Sequence, residues 1–208
     1  MKPAQFAILP VLFAALSACF FSSAPLIPEG EGAYLGTPGV NFCSDGECEV
    51  GQFEGDTYVV TETDGDSVET TEIRLQELPG IVDTPLYLAE VKLDEEDGDE
   101  EQYIYLVARP QPDGAAHLPT YDLAMPECGE ATEEDLAPYG IVRIDRYSCL
   151  ISDLDGLGRY IADHFADDIA TEAFWHDADA AEEAEAEDTA QETDAAEPAE
   201  APEDETEE

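Results

Sequence analysis

Residues 57–75 read TYVVTETDGDSVETTEIRL, and this stretch decides the fold class. Thr57–Thr63 is rich in β-branched and aromatic residues, and so is Ser67–Leu75. Asp64-Gly65 between them is a strong hairpin signal, because such dipeptides accept the left-handed backbone that a tight turn requires. In the second run Thr71, Ile73 and Leu75 point one way while Glu72 and Arg74 point the other. One face of this hairpin is therefore wet.

Further strands follow outward from it. Leu86–Leu93 (LYLAEVKL) and Tyr103–Arg109 (YIYLVAR) form the next pair, separated by Asp94–Glu101 (DEEDGDEE). Seven carboxylates around Gly98 make that segment an exposed turn. Ile141–Tyr147 is expected to be a strand leading into Cys149. At least six strands at hairpin spacing predict a mainly β (α+β) domain: a small antiparallel sheet, a sandwich or a partly open barrel.

One C-terminal amphipathic helix is expected to pack on it. Ser152-Asp153-Leu154-Asp155 supplies a capping residue and early acids. Leu154, Leu157, Ile161, Phe165 and Ile169 recur at helical spacing, which predicts a helix ending near Phe174 or Trp175. Gly156-Leu157-Gly158 reads as a loosened first turn. Thr132–Leu136 predicts a short helical turn that Pro138 ends.

Charge sets the outer limits. The 208 residues carry 52 Asp+Glu against 7 Lys+Arg, a formal net charge of −45. Such a chain repels phosphate, which excludes nucleic-acid binding and argues against docking on an anionic membrane through protein side chains. With 43% apolar residues it still has the material for a core. Residues 177–208 hold acids, alanine, threonine and proline without a basic or aromatic residue. They read as a disordered acidic tail, solubilising or cation-attracting. The rest of the chain stays strongly acidic without them, a trait that a salty habitat would explain.

The N-terminus reads as an export signal. Lys2 precedes an apolar run from Phe6 to Ala18, too short for the roughly 20 residues that span a bilayer. The run ends in Leu16-Ser17-Ala18-Cys19, which resembles the lipobox of bacterial lipoproteins. The resemblance covers about 19 residues. It implies cleavage before Cys19, acyl chains on that cysteine, and anchoring through lipid. In lipoproteins of two-membrane bacteria Asp after the cysteine commonly retains the protein in the inner membrane; here Phe20 follows, which leans towards the outer membrane, with the domain facing the periplasm or the exterior. The alternative is ordinary secretion with cleavage after Ser22-Ser23-Ala24, which would discard Cys19. The expected organisation is a signal peptide (1–18), a lipidated cysteine and tether (19–33), a globular domain (34–176) and the tail (177–208).

Spending Cys19 on lipid leaves Cys43, Cys48, Cys128 and Cys149. An oxidising compartment favours two disulfides, and Cys43–Cys48 with Cys128–Cys149 is the expected pairing. A zinc site is the rival reading. The histidines His117, His164 and His176 stand in no hydrolase or zinc motif. Calcium is the one cofactor considered, through Asp64 and Asp66 or through Asp94, Asp97 and Asp99, although neither loop keeps the EF-hand register. The leading functional expectation is a lipid-anchored envelope protein that binds a protein partner or plays a structural role. A cation-responsive acidic module is second, and an enzyme third.

Overall fold

The computed structural model describes residues 20–175 except 45, 65–66, 83, 94–100, 113–117 and 130. Ten strands form one sheet: β1 (Phe20–Ser22), β2 (Gly39–Ser44), β3 (Glu47–Glu54), β4 (Thr57–Asp64), β5 (Ser67–Leu78), β6 (Leu86–Leu93), β7 (Gln102–Pro110), β8 (Thr120–Ala124), β9 (Val142–Arg143) and β10 (Cys149–Leu150). Strands β2 to β8 run in antiparallel sequence from β2 through β7 to β8, and β8 returns to pair with β2 in parallel. The result is a closed seven-stranded barrel, neither a sandwich nor a partly open barrel. Closure removes the unpaired edges that an open sheet of these strands would expose.

Strand β7 has more edge than β8 covers. β8 pairs with Val107–Pro110, and β1 pairs with Tyr103–Tyr105 on the same side. β10 then adds to β1 in parallel and β9 to β10 in antiparallel fashion, so a small flap of three strands leaves the barrel at this seam.

Two apolar clusters follow from the alternation. Inside the barrel Phe42, Tyr58, Val60, Ile73, Leu75, Val91 and Leu106 meet. Gly51 makes room there, since a Cβ on it would lie 2.7 Å from the Phe42 ring. The outward residues of β6 and β7, among them Leu86, Leu88, Tyr105 and Val107, are buried as well, under β1 and the helical layer. These two strands are covered on both faces, which explains why they read as nearly continuous apolar runs.

That layer contains α1 (Glu133–Leu136), a short 3-10 turn through Pro138, α2 (Leu154–His164) and α3 (Ala166–Ile169). Thr132 caps α1 in a capping box with Asp135, and Asp153 caps α2 by accepting from the Gly156 N–H at 2.6 Å. Gly156 is required for close approach, because a Cβ there would lie 2.1 Å from the Tyr139 carbonyl. The expected single helix to Phe174 or Trp175 does not form. Helix α2 stops at His164, and Phe165 (φ −117°, ψ 1°) turns the chain. A straight continuation over ten residues would travel about 15 Å along its axis. The break instead lays Ile169 and Trp175 into the outer cluster.

Two further expectations are corrected. Residues 141–147 do not form one strand: only Val142–Arg143 is extended, because Asp145 folds the chain back by accepting from the Tyr147 and Ser148 N–H groups. Order also begins well before Tyr34. Phe20 and Ile27 are fully buried, so residues 20–33 belong to the fold and are not a tether. The acidic tail and the turn at 94–100 lie outside the described residues.

Both expected disulfides form. Cys43 and Cys48 are directly opposed on β2 and β3, and Cys128 is joined to Cys149 on β10. The second bond closes the longer loop, with a sequence separation of 21. Loop-closure entropy gives it about 3 kcal/mol. Replacing Cys128 and Cys149 together by alanine is expected to lower the unfolding free energy by about that amount in urea denaturation.

Candidate functional site

The polar chemistry of the described residues concentrates where the N-terminal segment lies on the barrel wall. Strand β6 carries Glu90 outward between Leu88 and Lys92, and the side chain is only 2% exposed. A carboxylate there requires partners. It has four. One oxygen accepts from the backbone N–H groups of Leu26 and Ile27, the latter at 3.0 Å, and from the Tyr105 hydroxyl at 2.9 Å. The other lies 3.5 Å from Arg74 Nη1. Burial holds the Tyr105 phenol far above its ordinary value, so it remains a donor. The Ser22 hydroxyl stands 2.8 Å from Tyr105 Oη and 2.6 Å from the Ala24 carbonyl, with one hydrogen to give to either.

Arg74 extends the chain of charges to the loop between β3 and β4. Its Nε lies 3.4 Å from Asp56, buried and without hydrogen-bond geometry. Asp56 in turn accepts from the Gly30 N–H at 2.6 Å, and this bond, with the nearby Arg74 charge, holds its carboxyl below the usual range. Glu90 and Asp56 thus clamp residues 22–30 at two points.

Beside Glu90 a shallow recess with room for about one water molecule is lined by Glu72, Arg74, Glu90, Lys92 and Tyr103, far less than a drug-sized ligand needs. Lys92 there pairs with Glu101 at 2.9 Å, and the Tyr103 hydroxyl donates to the same carboxylate. The recess contains no histidine, serine or cysteine. Glu90 is committed to structural donors, so the geometry suits fastening a segment and provides no nucleophile with a base.

A second polar lock fastens the C-terminal end. Arg109 contacts Asp122 at 3.1 Å and Glu172 through two nitrogens, and its guanidinium lies 4.4 Å above the Trp175 ring. Among the histidines, His164 is exposed, stacked on Tyr160 at 4.6 Å and 3.4 Å from the Tyr139 hydroxyl, which donates to Asp163. No nucleophile accompanies it. His117 and His176 lie outside the described residues.

The sequence-derived candidates divide in the same way. Cys43, Cys48, Cys128 and Cys149 are the bonded cysteines. Cys19, Asp66, Asp94, Asp97 and Asp99 lie outside the described residues. Asp64 ends β4 opposite Ser67. Among the described residues no group of three or more His, Cys, Asp or Glu side chains could hold a metal. Sequence reasoning missed Glu90 and Arg109. The available signal was a charge set in an apolar run, Glu90 within LYLAEVKL and Arg109 closing YIYLVAR, which marks a buried partner.

On β3 and β4 the acids repel one another. Burial, a hydrogen bond and charge from Glu62, and charge from Glu47 raise the Glu49 carboxyl. A raised folded-state value means that stability is gained as pH falls through it and lost as pH rises. Glu49→Gln is therefore expected to raise the melting midpoint by about 1 °C at pH 7. The difference should vanish below the ordinary carboxylate value, as thermal melts across pH would record.

No family model, curated protein or solved structure matches the chain.

Proposed function

We propose that this chain is a lipid-anchored cell-envelope protein, exported by residues 1–18 and held to the membrane by acyl chains on Cys19. Its barrel serves as a binding or structural module towards a protein partner, on an outer membrane by the Phe20 criterion. The observation that carries the reading is the burial of β1. Cleavage before Cys19 leaves a chain that starts one residue ahead of the first strand. Cleavage after Ala24 would remove Phe20, which is fully buried, and Ser22, which contacts Tyr105. The two disulfides fit an oxidising compartment. Among the described residues no helix is long and apolar enough to cross a membrane, so anchoring falls to the lipid in this reading.

The test compares the full chain with Cys19→Ala in a bacterial host fed labelled palmitate. The full chain is expected to take up label and to sediment with membranes, and Cys19→Ala to do neither. An unlabelled, soluble full chain would sink the reading.

A further inference from the structure

The flap at the seam carries an exposed apolar tip. Val142 is 55% exposed, Ile144 56% and Tyr147 41%. The tip is well fastened. Ile144 N donates to the Ser148 carbonyl at 3.0 Å, Asp145 caps Tyr147 and Ser148, and Arg143 donates to the carbonyls of Cys128, Ala131, Asp145 and Arg146. The Cys128–Cys149 bond lies at its base. Arg146 is exposed and stands 5.1 Å over the Tyr147 ring. Two of the seven basic residues of this acidic chain thus fall within residues 142–148. Asp145 is the acid within the tip, and Glu133 and Glu134 stand on α1, which contacts β9.

The position of the tip gives it meaning. β1 is parallel to β10, with Phe20 opposite Cys149, so the two strands start side by side. Cys19 is the residue bonded to Phe20 in the chain. The starts of β3, β5 and β7 share one end of the barrel, where Glu47 and Glu101 stand. β1 runs towards that end, since Ser22 lies opposite Tyr103, and so begins away from it.

We propose that the β9–β10 hairpin seats on the phospholipid bilayer beside the acyl chains of Cys19, with Ile144 and Tyr147 leading and Arg146 at the headgroups. This rests on the lipid-anchor reading. Aromatic and arginine side chains suit the interface because each has an apolar body and a polar end. The end that carries Glu47 and Glu101 then faces away from an anionic surface, which the net charge of the chain otherwise opposes.

The test uses the full lipidated chain reconstituted in phosphatidylethanolamine–phosphatidylglycerol vesicles with or without brominated acyl chains. Tryptophan is placed by Ile144→Trp, Tyr147→Trp or, as control, Val68→Trp beside the β4–β5 turn, where Val68 is exposed. Brominated lipid is expected to quench the 144 and 147 variants at least twofold more than the control. Equal quenching in vesicles that carry the acylated protein overturns the docking inference alone and leaves the hairpin to a protein partner. Intact mass without acyl chains overturns the anchor reading, and the docking inference with it. Two independent hairpin variants guard against one that misfolds.

Discussion

Replacing Phe20 by alanine is expected to lower the melting midpoint by about 6–20 °C. The ring is fully buried, packs edge-on against Tyr160 at 5.5 Å, and sits on a strand that links the barrel to the flap. Truncating a buried phenylalanine costs about 3–5 kcal/mol through lost transfer energy and the cavity left behind. In a domain of this size each kcal/mol moves the midpoint by roughly 2–4 °C. A chain starting at Pro25 should fare worse. It loses the whole of β1, exposes the Tyr103–Tyr105 edge of β7 and strips β10 of a neighbour. A Phe20→Ala midpoint within a degree or two of the parent would show that β1 contributes little to the fold.

Glu90→Ala is the second large effect, about 3–5 kcal/mol by urea denaturation. The substitution removes the acceptor of the Leu26 and Ile27 N–H groups and of Tyr105, and leaves Arg74 Nη1 facing no carboxylate on that side. Each abandoned buried donor retains its desolvation cost without a bond in return. Glu90→Gln keeps one carbonyl oxygen for the three donors and should cost clearly less, so the order alanine worse than glutamine identifies lost acceptors as the cause. The two sites are also coupled. Phe20 and Glu90 both hold the segment 20–30 on the wall, so the double variant should cost less than the sum of the singles. Strict additivity would mean that they act independently.

The parts of this fold that were legible in the sequence are those fixed by neighbours along the chain. The β4–β5 hairpin was readable because alternation and Asp64-Gly65 specify it locally. The Cys43–Cys48 bond was readable because the intervening residues turn tightly. Barrel closure was not, because it depends on a parallel pairing of Asn41–Cys43 with Thr120–Asp122, which local patterns do not encode. The second apolar layer had a signal that the strand reading left unused. LYLAEVKL and YIYLVAR alternate poorly, and strands without a polar face are covered on both sides. Glu90 within such a run had to be paired. Residues 20–33 were harder. Serine, proline and glycine there suit a tether, and only Phe20-Phe21 and Leu26-Ile27 hint at burial. Their place in the fold comes from an edge of β7 that β8 leaves open.

The same seam links fold and proposed function, since the fold starts where the lipid attachment is proposed. The most direct measurement is the intact mass of the mature protein recovered from the cell envelope. A chain beginning at Cys19 and bearing acyl chains is the expected result. A chain beginning at Pro25 without acyl chains would contradict the account, because it would lack β1, which covers the Tyr103–Tyr105 edge of β7.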